Sequence, residues 1–423
     1  MAERQRAVIV IPTYNEASCI AGLIQDLKGR ALPACMGWDV DILVVDGCST
    51  DGTAAIVRRS MGTGSAVHLL VEEKKSGIGE AYRKGFAYAI HQLSADVVIE
   101  FDGDCQHPPE AIPLLLHEID GGADLVLGSR RVRGGAYPSG WGLYRRFISQ
   151  AGGWVARLVL FFPTRFYGKV TDPTTGLKAT RVTLLCGSRI MDHVRSAGFA
   201  YKIEMLFACA RTTERIREIP LPFGLRMGGE SKITGQTPRE ILSTVFRLRF
   251  EDPATRRFLK FAAVGFTGFL VNAVSLELLS RSRLLARLAA WFSRLALPSL
   301  LGFVTSTSTW AAVISAELSI IGNYILNNFW TFANRRRDAG FLSSGLRFNL
   351  VSVGAILIQA VIVGGATVLF GETLLIRQAA LVCAIAFAVV PYNWFMYNHA
   401  IWRGGSRRPG TPHITEARRS PQA

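Results

Sequence analysis

Residues 97–107 read Val-Val-Ile-Glu-Phe-Asp-Gly-Asp-Cys-Gln-His, an apolar run followed by two aspartates. The run predicts a buried strand of an α/β sheet. Asp102 and Asp104 are spaced i, i+2, so in an extended chain both carboxylates would point into the crevice where such sheets bind ligands. Their oxygens, with the amide oxygen of Gln106, suit Mg²⁺ or Mn²⁺ on a diphosphate. An isolated Asp-x-Asp pair is a weak signal, so the surrounding sequence decides its weight.

The stretch lies within an alternation of predicted strands and helices that runs from residue 7 to about residue 230. This rhythm predicts a mostly parallel sheet with helices on both faces. Each predicted strand ends in a turn rich in Gly, Asp, Pro or Ser, where an active site would be assembled. The predicted strands are 7–11, 41–46, 67–71, 97–101 and 125–128, and the predicted helices lie near 16–28, 51–60, 79–92 and 109–119.

The composition indicates a membrane protein with more than one domain. The chain has 423 residues, and its 48 basic and 32 acidic residues give a net charge of +16. A pI near 9.9 alone would suggest nucleic acid as a partner, but a mean hydropathy of +0.24 is too apolar for a soluble nucleic-acid binder. Basic flanks around membrane spans explain both values, so we expect no nucleic-acid partner.

The cysteines and the N-terminus indicate that the first domain stays in the cytoplasm. The seven cysteines show no Cys-x-x-Cys spacing, which is typical of a reducing compartment rather than of a disulfide framework or a zinc site. Residues 1–6 lead directly into a predicted strand, so we expect no signal peptide. The cysteines are Cys19, Cys35, Cys48, Cys105, Cys186, Cys209 and Cys383.

Four apolar segments after Pro253 are long enough to cross a bilayer. Basic residues precede the first span, lie between the second and third, and follow the fourth. With four transmembrane helices these flanks all lie on one side, which predicts that they and the N-terminal domain are on the cytoplasmic side of the cell membrane. The intervening loop 281–294 carries arginines at i, i+4 spacing and is predicted as a surface helix on the far leaflet. The predicted spans are 261–276, 311–333, 348–370 and 378–402.

Two further segments mix apolar residues with arginines. Segments 144–162 and 236–257 are predicted to lie in the membrane interface, apolar side down and arginines at the head groups. Ordinary amphipathic core helices remain the alternative. The predicted organisation is therefore a domain of residues 1–235, the interfacial helix and linker 236–257, a transmembrane domain 258–402 and a disordered basic tail 403–423.

The membrane spans contain polar residues and show an internal repeat. Shared spacing of Phe, Val and amide side chains indicates two duplicated helix pairs, and intramembrane amides are usually helix–helix contacts. Glu277 and Glu317 are costlier to place in a membrane. A functional role and a structural ion pair with the 281–294 arginines both remain open for them.

Polar turns also follow the first two predicted strands. Residues 11–16, Ile-Pro-Thr-Tyr-Asn-Glu, are suited to a nucleotide base and ribose. Residues 45–53, Val-Asp-Gly-Cys-Ser-Thr-Asp-Gly-Thr, end the second strand similarly, although Thr50 and Asp51 also fit a helix cap. Residues 77–79 lack the G-x-G-x-x-G spacing, so no dinucleotide site is predicted.

Short motifs follow one another between the first predicted strand and residue 232. They are 11–16, Asp51-Gly52-Thr53, Asp102-x-Asp104-x-Gln106-His107-Pro108-Pro109-Glu110, Gly128-Ser129-Arg130 with Gly134-Gly135, Arg145-x3-Ser149, Asp172-Pro173-Thr174-Thr175-Gly176, Tyr201-x2-Glu204-Met205-Leu206 and Arg226-x2-Gly229-x-Ser231-Lys232. Residues 7–250 thereby resemble the inverting glycosyltransferases of family 2, which have a GT-A fold, and most closely the dolichyl- or polyprenyl-phosphate mannose synthases. Residues 258–402 resemble the GtrA-like four-helix membrane family. The resemblance is more specific to sugar transfer as a reaction than to the identity of the sugar.

The resemblance implies roles for individual residues. The implied donor site consists of Pro12, Tyr14, Glu16, Asp46, Asp102, Asp104, Gln106, Glu204, Arg226, Ser231 and Lys232, of which Asp102, Asp104 and Gln106 would hold Mn²⁺ or Mg²⁺. Arg130, Arg145 and Ser149 would hold the acceptor phosphate, and Arg145 and Ser149 share one helix face. The implied catalytic residues are Asp104, Arg130, Arg145, Ser149 and Asp172.

The implied acceptor explains why no catalytic base is obvious. A phosphate monoester has a second pKa near ~6 and is largely dianionic at neutral pH, so it is already a nucleophile. The metal and the arginines would offset its repulsion from the donor diphosphate. In-line attack would invert the anomeric carbon and give a β-linked lipid-phosphate sugar.

Three positions qualify this resemblance. Gly47 stands where the family commonly has a second Asp, so a donor contact to base or ribose is lost or moved. Cys105 lies between predicted metal ligands and is expected to pack rather than bind. His107 is expected to order the loop rather than to bind the metal.

The leading hypothesis is transfer of mannose from GDP-mannose to a membrane polyprenyl or dolichyl phosphate, giving polyprenyl-phosphate β-mannose and GDP. The close alternative is the same reaction with UDP-glucose. A processive polysaccharide synthase is disfavoured because the sequence has no Gln-x-x-Arg-Trp motif. A different class remains open, in which the membrane domain is a flippase for a lipid-linked sugar.

Overall fold

The chain forms two compact units in this computed structural model, residues 1–250 and residues 251–423. The structure describes residues 4–62, 64–225, 237–294, 307–333, 340–371 and 373–402. The predicted tail 403–423 and the residues Arg226, Ser231 and Lys232 lie outside the described residues.

A seven-stranded mixed sheet forms the centre of the first unit. Its strands are β1 (Gln5–Thr13), β2 (Trp38–Asp46), β3 (Val67–Val71), β4 (Val97–Glu100), β5 (Leu125–Ser129), β6 (Lys178–Arg181) and β7 (Ile216–Pro220). The spatial order is β3-β2-β1-β4-β6-β5-β7. All neighbours pair in parallel except β6, which is antiparallel to both β4 and β5. The carboxyl ends of β1 to β5 therefore meet at one edge.

The five predicted strands are present in the structure, and the predicted α/β class is confirmed. β6 and β7 were not predicted, since β6 is short and reads Lys-Ala-Thr-Arg. Lys178 is nevertheless fully buried in β6, because its Nζ lies 2.5 Å from Glu100 Oε2 on β4. A buried charge held by a partner on a neighbouring strand leaves no apolar signal in the sequence.

Helices cover both faces of the sheet, as predicted. Along β1, Val8 and Val10 belong to one hydrophobic core, whereas Ile9 and Ile11 belong to the other. This period of two is the alternation of side chains in a strand that is buried on both faces. The helices of this unit are α1 (Ile20–Asp26), α2 (Thr53–Ser60), α3 (Ile78–His91), α4 (Ala111–Asp120), α5 (Leu143–Ala156), α6 (Val182–Gly187), α7 (Ile190–His193), α8 (Tyr201–Thr212) and α9 (Thr237–Glu251).

The second unit is helical throughout its described residues. Its helices are α10 (Pro253–Ser280), α11 (Arg283–Ser293), α12 (Thr307–Leu326), α13 (Phe341–Phe370), α14 (Leu374–Ala384) and α15 (Val390–Met396). Two stretches of the described residues are long and apolar enough to cross a membrane, Pro253–Ser280 and Phe341–Ile358. The predicted surface helix in loop 281–294 corresponds to α11.

An aromatic cluster forms the core of this second unit. The ring of Trp402 stacks on Phe332 at 4.5 Å, and Phe348 stacks on Tyr397 at 4.6 Å. The indole nitrogen of Trp402 donates to Asn328 Oδ1 at 3.4 Å. This asparagine therefore contributes to contacts between segments of the bundle, as expected of intramembrane amides.

Glu277, directly after the first predicted span, and Glu317, within the second, both have side-chain partners. Glu277 forms an ion pair with Arg281 one turn further along. Glu317 accepts a hydrogen bond from Asn349 Nδ2 at 2.9 Å. For Glu277 the structure favours the ion-pair alternative.

Candidate active site

The two aspartates of the opening motif lie on a turn, not on an extended segment. β4 ends at Glu100, and residues 103–104 form a turn before Cys105, whose φ is +60°. The expected extended backbone is therefore not present at residues 103–105. A non-glycine residue in the left-handed region is uncommon, so the sequence gives no sign of this turn. Cys105 packs against the core that contains Ile9, as predicted.

Asp102 is enclosed by hydrogen-bond donors. Lys202 Nζ lies 2.8 Å from its Oδ1 and 2.7 Å from its Oδ2. His107 Nε2 lies 3.2 Å from Oδ2, and the Tyr82 hydroxyl donates to Oδ1 at 3.2 Å. Burial alone would raise the pKa of the Asp102 carboxyl, but the Lys202 ammonium and the His107 hydrogen bond hold this pKa well below its ordinary value.

The space around this ion pair is closed by Gly176. A Cβ atom at position 176 would lie 2.5 Å from both Asp102 Oδ2 and Lys202 Nζ. It would also lie 3.1 Å from His107 Nε2. Only glycine leaves room for the ion pair here. His107 itself lies between the rings of Phe101 and Phe223, which supports its predicted role in ordering the loop.

Asp104 and Gln106 occupy the next part of the turn. Asp104 is buried, and its Oδ1 accepts a hydrogen bond from the Gln106 backbone N–H at 3.2 Å. The Gln106 side-chain nitrogen donates to Gly224 O at 2.9 Å, and Gly224 N donates to Gln106 O at 2.8 Å. The turn is thus fastened to the segment that precedes Arg226.

The ends of β1 and β2 form a second part of the same edge. Asp46 Oδ1 accepts from the Thr13 hydroxyl at 3.0 Å and from the Ser49 hydroxyl at 2.6 Å. The Glu16 backbone N–H donates to the Thr53 hydroxyl at 3.0 Å. Asp46 thus fixes the two loops relative to each other, and Pro12, Tyr14 and Glu16 lie on the first of these loops.

Gly47 stands where a second Asp was expected, and another carboxylate lies close to it. A Cβ atom on Gly47 would lie 3.5 Å from Glu72 Oε2. Glu72 follows β3, is buried, and accepts from Lys84 Nζ at 2.8 Å through its other oxygen. Lys75, on the same loop, lies 3.6 Å from the centre of the Tyr14 ring. An acidic group and an aromatic–cation pair therefore remain at this edge of the sheet.

Arg130 and Asp172 form a buried bidentate pair. Arg130 Nε lies 2.6 Å from Asp172 Oδ2, and Nη2 lies 2.7 Å from Oδ1. Nη2 also donates to the Thr174 hydroxyl at 2.7 Å. Although burial raises the pKa of Asp172, the Arg130 guanidinium and its hydrogen bonds bring that pKa below its ordinary value. The structure thus joins two of the predicted catalytic residues.

Arg145 and Ser149 lie on α5, where Arg145 is exposed and Ser149 half-buried. The Arg145 guanidinium lies 4.3 Å from the centre of the Trp141 ring. α5 and the helical turn that follows it also expose an unusual number of large apolar side chains. These are Leu143, Tyr144, Phe147, Ile148, Trp154, Val155 and Leu158. An ordinary core helix would bury them.

Glu204 serves to hold helices together in this structure. Its Oε2 accepts from the Ser196 backbone N–H at 2.8 Å, and its Oε1 lies 3.0 Å from Arg247 Nη2. Arg247 belongs to α9, so Glu204 fastens α9 to α8 within the first unit. Its predicted role at the donor stays a prediction.

Lys202 is the site residue that sequence reasoning missed. Its own signal is a lysine on α8, a helix whose residues from Tyr201 to Phe207 are all buried. A lysine in such a helix requires a buried partner, but the sequence does not say which acid that is.

The residues of the turn fit a divalent cation in part. Asp104 and Gln106 offer the carboxylate and amide oxygens that Mg²⁺ and Mn²⁺ prefer. Asp102 already has Lys202 within 2.8 Å of both its oxygens. Throughout the described residues, no three His, Cys, Asp or Glu side chains are grouped so that they could hold a metal. Oxygens of water or of a bound ligand would complete the coordination of a metal here.

Two known families match this chain. Residues 8–182 match Glycosyl transferase family 2, and residues 260–402 match the GtrA/DPMS transmembrane domain. The dolichol-phosphate mannosyltransferase of Pyrococcus furiosus is 31% identical over 354 residues, which cover 84% of this chain and 88% of the relative. The undecaprenyl-phosphate mannosyltransferase of Micrococcus luteus is 36% identical over 242 residues, or 57% of this chain and 93% of the relative.

Similarity to solved structures is weaker. The crystal structure of mannosyl-3-phosphoglycerate synthase from Rubrobacter xylanophilus is 19% identical, with a TM-score of 0.43, and the match covers 58% of this chain and 74% of that one. This likeness is too distant to inform the function.

Proposed function

The chain belongs to glycosyl transferase family 2 and joins that domain to a GtrA/DPMS transmembrane domain, and from this premise we propose that it transfers mannose from GDP-mannose to a membrane polyprenyl phosphate. It is a glycosyltransferase and a membrane protein. The observation that carries the proposal is the similarity to a dolichol-phosphate mannosyltransferase along 84% of the chain, which includes both units. The products are polyprenyl-phosphate β-mannose and GDP.

The donor would lie at the carboxyl ends of β1, β2 and β4. The loops fixed by Asp46 would receive the base and ribose, and the turn carrying Asp104 and Gln106 would hold Mn²⁺ or Mg²⁺, with Asp102 beside it. When bound, the cation would neutralise the diphosphate as it leaves. The resemblance adds Arg226, Ser231 and Lys232, which lie outside the described residues.

The acceptor phosphate would be held by Arg130, Arg145 and Ser149. Arg130 uses Nε and Nη2 for its contacts with Asp172 and Thr174, and within the described residues no hydrogen bond is made by its Nη1. The N–H groups of Nη1 therefore remain for a phosphate oxygen. Asp172 orients the guanidinium rather than removing a proton, because the phosphate dianion is itself the nucleophile.

The membrane would lie against α5. Its exposed apolar side chains support an interfacial helix, with Arg145 at the level of the lipid phosphates. We also propose that the second unit crosses the membrane four times and that the first unit lies on the cytoplasmic side. The basic flanks of the predicted spans support this orientation.

A donor panel tests the proposed function. Membranes containing the full chain and polyprenyl phosphate receive radiolabelled GDP-mannose, UDP-glucose or other nucleotide sugars with Mn²⁺, and the organic-extractable label is counted. We expect label from GDP-mannose that is lost in Asp104→Ala. Label from UDP-glucose alone would replace the proposed donor with the alternative. No labelled lipid from any nucleotide sugar would reject the transfer reaction.

A further inference from the structure

We propose that Lys202 is a fixed cation of the donor site, which keeps Asp102 out of the metal's coordination and leaves the cation to Asp104, Gln106 and the donor diphosphate. This rests on the proposed function, because it assigns a role within the same donor site. Lys202 would be a positioning residue that acts through Asp102.

The ion pair has the geometry of a permanent contact. Lys202 Nζ is nearly equidistant from the two Asp102 oxygens, at 2.8 and 2.7 Å. The Lys202 side chain is only 8% exposed, so water cannot replace the carboxylate as its partner. Breaking such a pair would leave a buried ammonium without compensation, which is strongly unfavourable.

The surroundings prevent the pair from rearranging. The Cα atom of Gly176 lies against both members, where a Cβ atom would be 2.5 Å from each. Tyr82 donates to Asp102 Oδ1, and its ring stacks on Tyr201, the neighbour of Lys202, at 5.4 Å. His107 occupies Oδ2 from the other side. Asp102 therefore has three donors from three separate segments.

A metal ion at Asp102 would have to displace these donors. It would also bring a divalent charge next to the Lys202 ammonium, and like charges in a site of low dielectric repel strongly. Asp104 and Gln106 follow on the same turn, whereas the hydrogen bonds of the Lys202 ammonium go to Asp102. The metal is therefore expected on their side of the turn.

The charge of Asp102 is offset by Lys202 in this arrangement. Of the two aspartates of the motif, Asp104 is then the one that provides a carboxylate for the cation. Mn²⁺ alone should then bind weakly, and a nucleoside diphosphate should strengthen its binding by supplying phosphate oxygens. The metal and the donor would therefore bind together, rather than the metal binding first to the free enzyme.

Electron paramagnetic resonance of free Mn²⁺ tests this assignment on the purified full chain. In Lys202→Met, the repelling ammonium is removed and the Asp102 carboxylate is released, so Mn²⁺ without nucleotide should bind about tenfold more tightly than in the wild type. A merely structural role of Lys202 would weaken binding or leave it unchanged, and either result would overturn the proposal. Lys84→Met, which removes another lysine paired with a carboxylate, should leave Mn²⁺ affinity unchanged.

A double variant separates the loss of a metal ligand from the destabilisation caused by an unpaired buried charge. Asp102→Asn alone leaves Lys202 buried without its partner, whereas Asp102→Asn with Lys202→Met removes both charges. The double variant should bind Mn²⁺ in the presence of GDP within about threefold of the wild type, while loss of a direct ligand would cost tenfold or more. That larger loss would place Asp102 on the metal. The titration needs neither sugar nor lipid, so its failure is distinct from failure of the labelled-lipid assay.

Discussion

At the scale of single residues, Arg145 and Arg130 differ in their burial and in the side chains that they contact. Arg130 is fixed by Asp172 and buried, whereas Arg145 is exposed on α5 and rests on the Trp141 ring. An anionic acceptor can therefore approach Arg145 without displacing a carboxylate. The two arginines should consequently respond differently to substitution.

Arg145→Ala is expected to weaken acceptor binding. The loss of a charge-assisted hydrogen bond to phosphate should raise KM for polyprenyl phosphate about tenfold or more, with a smaller change in KM for GDP-mannose. Initial rates in detergent with varied acceptor measure this. Arg165→Ala, an exposed arginine paired with Glu214, is the control. An unchanged acceptor KM would contradict the role of Arg145.

Asp172→Asn is expected to destabilise the first unit. The substitution leaves the Arg130 guanidinium buried without its counter-ion, which costs about 3–5 kcal/mol. Because the pKa of Asp172 is lowered in the folded protein, its stabilisation is present above its ordinary value of 3.8 and is lost as the pH falls through the lowered value.

Thermal unfolding of the full chain from about pH 7 to about pH 3 measures both effects. Asp172→Asn should lower the midpoint at neutral pH and reduce the loss that the wild type shows in acid. Equal midpoints for the two proteins at neutral pH would contradict a stabilising ion pair.

The sequence predicts polar residues at this edge of the sheet but not all their contacts. Asp102, Asp104 and Gln106 could be predicted as site residues because they follow a buried strand, whereas Arg130 was implied by the family resemblance. The turn at Cys105 could not be predicted, since a cysteine at positive φ is not a typical turn signal. The pairing of Asp102 with Lys202 spans 100 positions in the chain and depends on the packing of α8.

At the scale of secondary structure elements, α5 does not fit an ordinary core helix of the first unit. Its Phe147 is 66% exposed, and Leu158 in the following turn is 56% exposed. Apolar side chains that face solvent across several turns indicate a surface that is covered in the working protein. We propose the lipid head-group region as that cover.

Phe147→Glu with Leu158→Glu is expected to reduce membrane binding by the fragment 1–250. Each apolar side chain that leaves the lipid forfeits roughly 2 kcal/mol, so partitioning onto anionic vesicles should fall more than tenfold. Flotation of the fragment with vesicles measures this. Met36→Glu, at a side chain that is 85% exposed outside α5, is the control. Equal flotation of all variants would contradict the interfacial helix.

The positions of the strands were more predictable than the way the strands pair in the sheet. β1 to β5 are apolar runs, and such runs identify buried strands directly. β6 reads as polar because Lys178 is neutralised by Glu100 on β4, and its antiparallel direction depends on the long connection from β5. The sheet is mostly parallel, as predicted, and the antiparallel strand β6 makes it a mixed sheet.

At the scale of the whole molecule, charge and hydropathy together predicted a membrane protein, and the GtrA/DPMS match confirms it. The first and third predicted spans overlap the long apolar stretches Pro253–Ser280 and Phe341–Ile358. The fourth predicted span, 378–402, lies in a continuous helical run from Leu374 to Ile401 that contains π-helical turns at Ile385–Val389 and Tyr397–Ile401. Such π-bulges occur inside helices and do not end them.

Cysteine labelling of intact cells is expected to place Ser282 outside and Cys48 inside. Both side chains would be tested singly in a chain whose other cysteines are replaced, with Ser282→Cys between α10 and α11. A membrane-impermeant maleimide should modify position 282 directly, but Cys48, which is exposed on the first unit, only after permeabilisation. The reverse pattern would contradict the proposed orientation.

The closed space at Gly176 also constrains how this protein can change over time. Positions 102, 176 and 202 are far apart in the chain, yet an added methyl group at 176 would collide with a carboxylate and an ammonium at once. A larger residue at 176 is therefore tolerable only after the other two have been replaced. Natural variants should therefore lose the Asp102–Lys202 ion pair before they lose Gly176. Homologues that keep the ion pair should also keep the glycine.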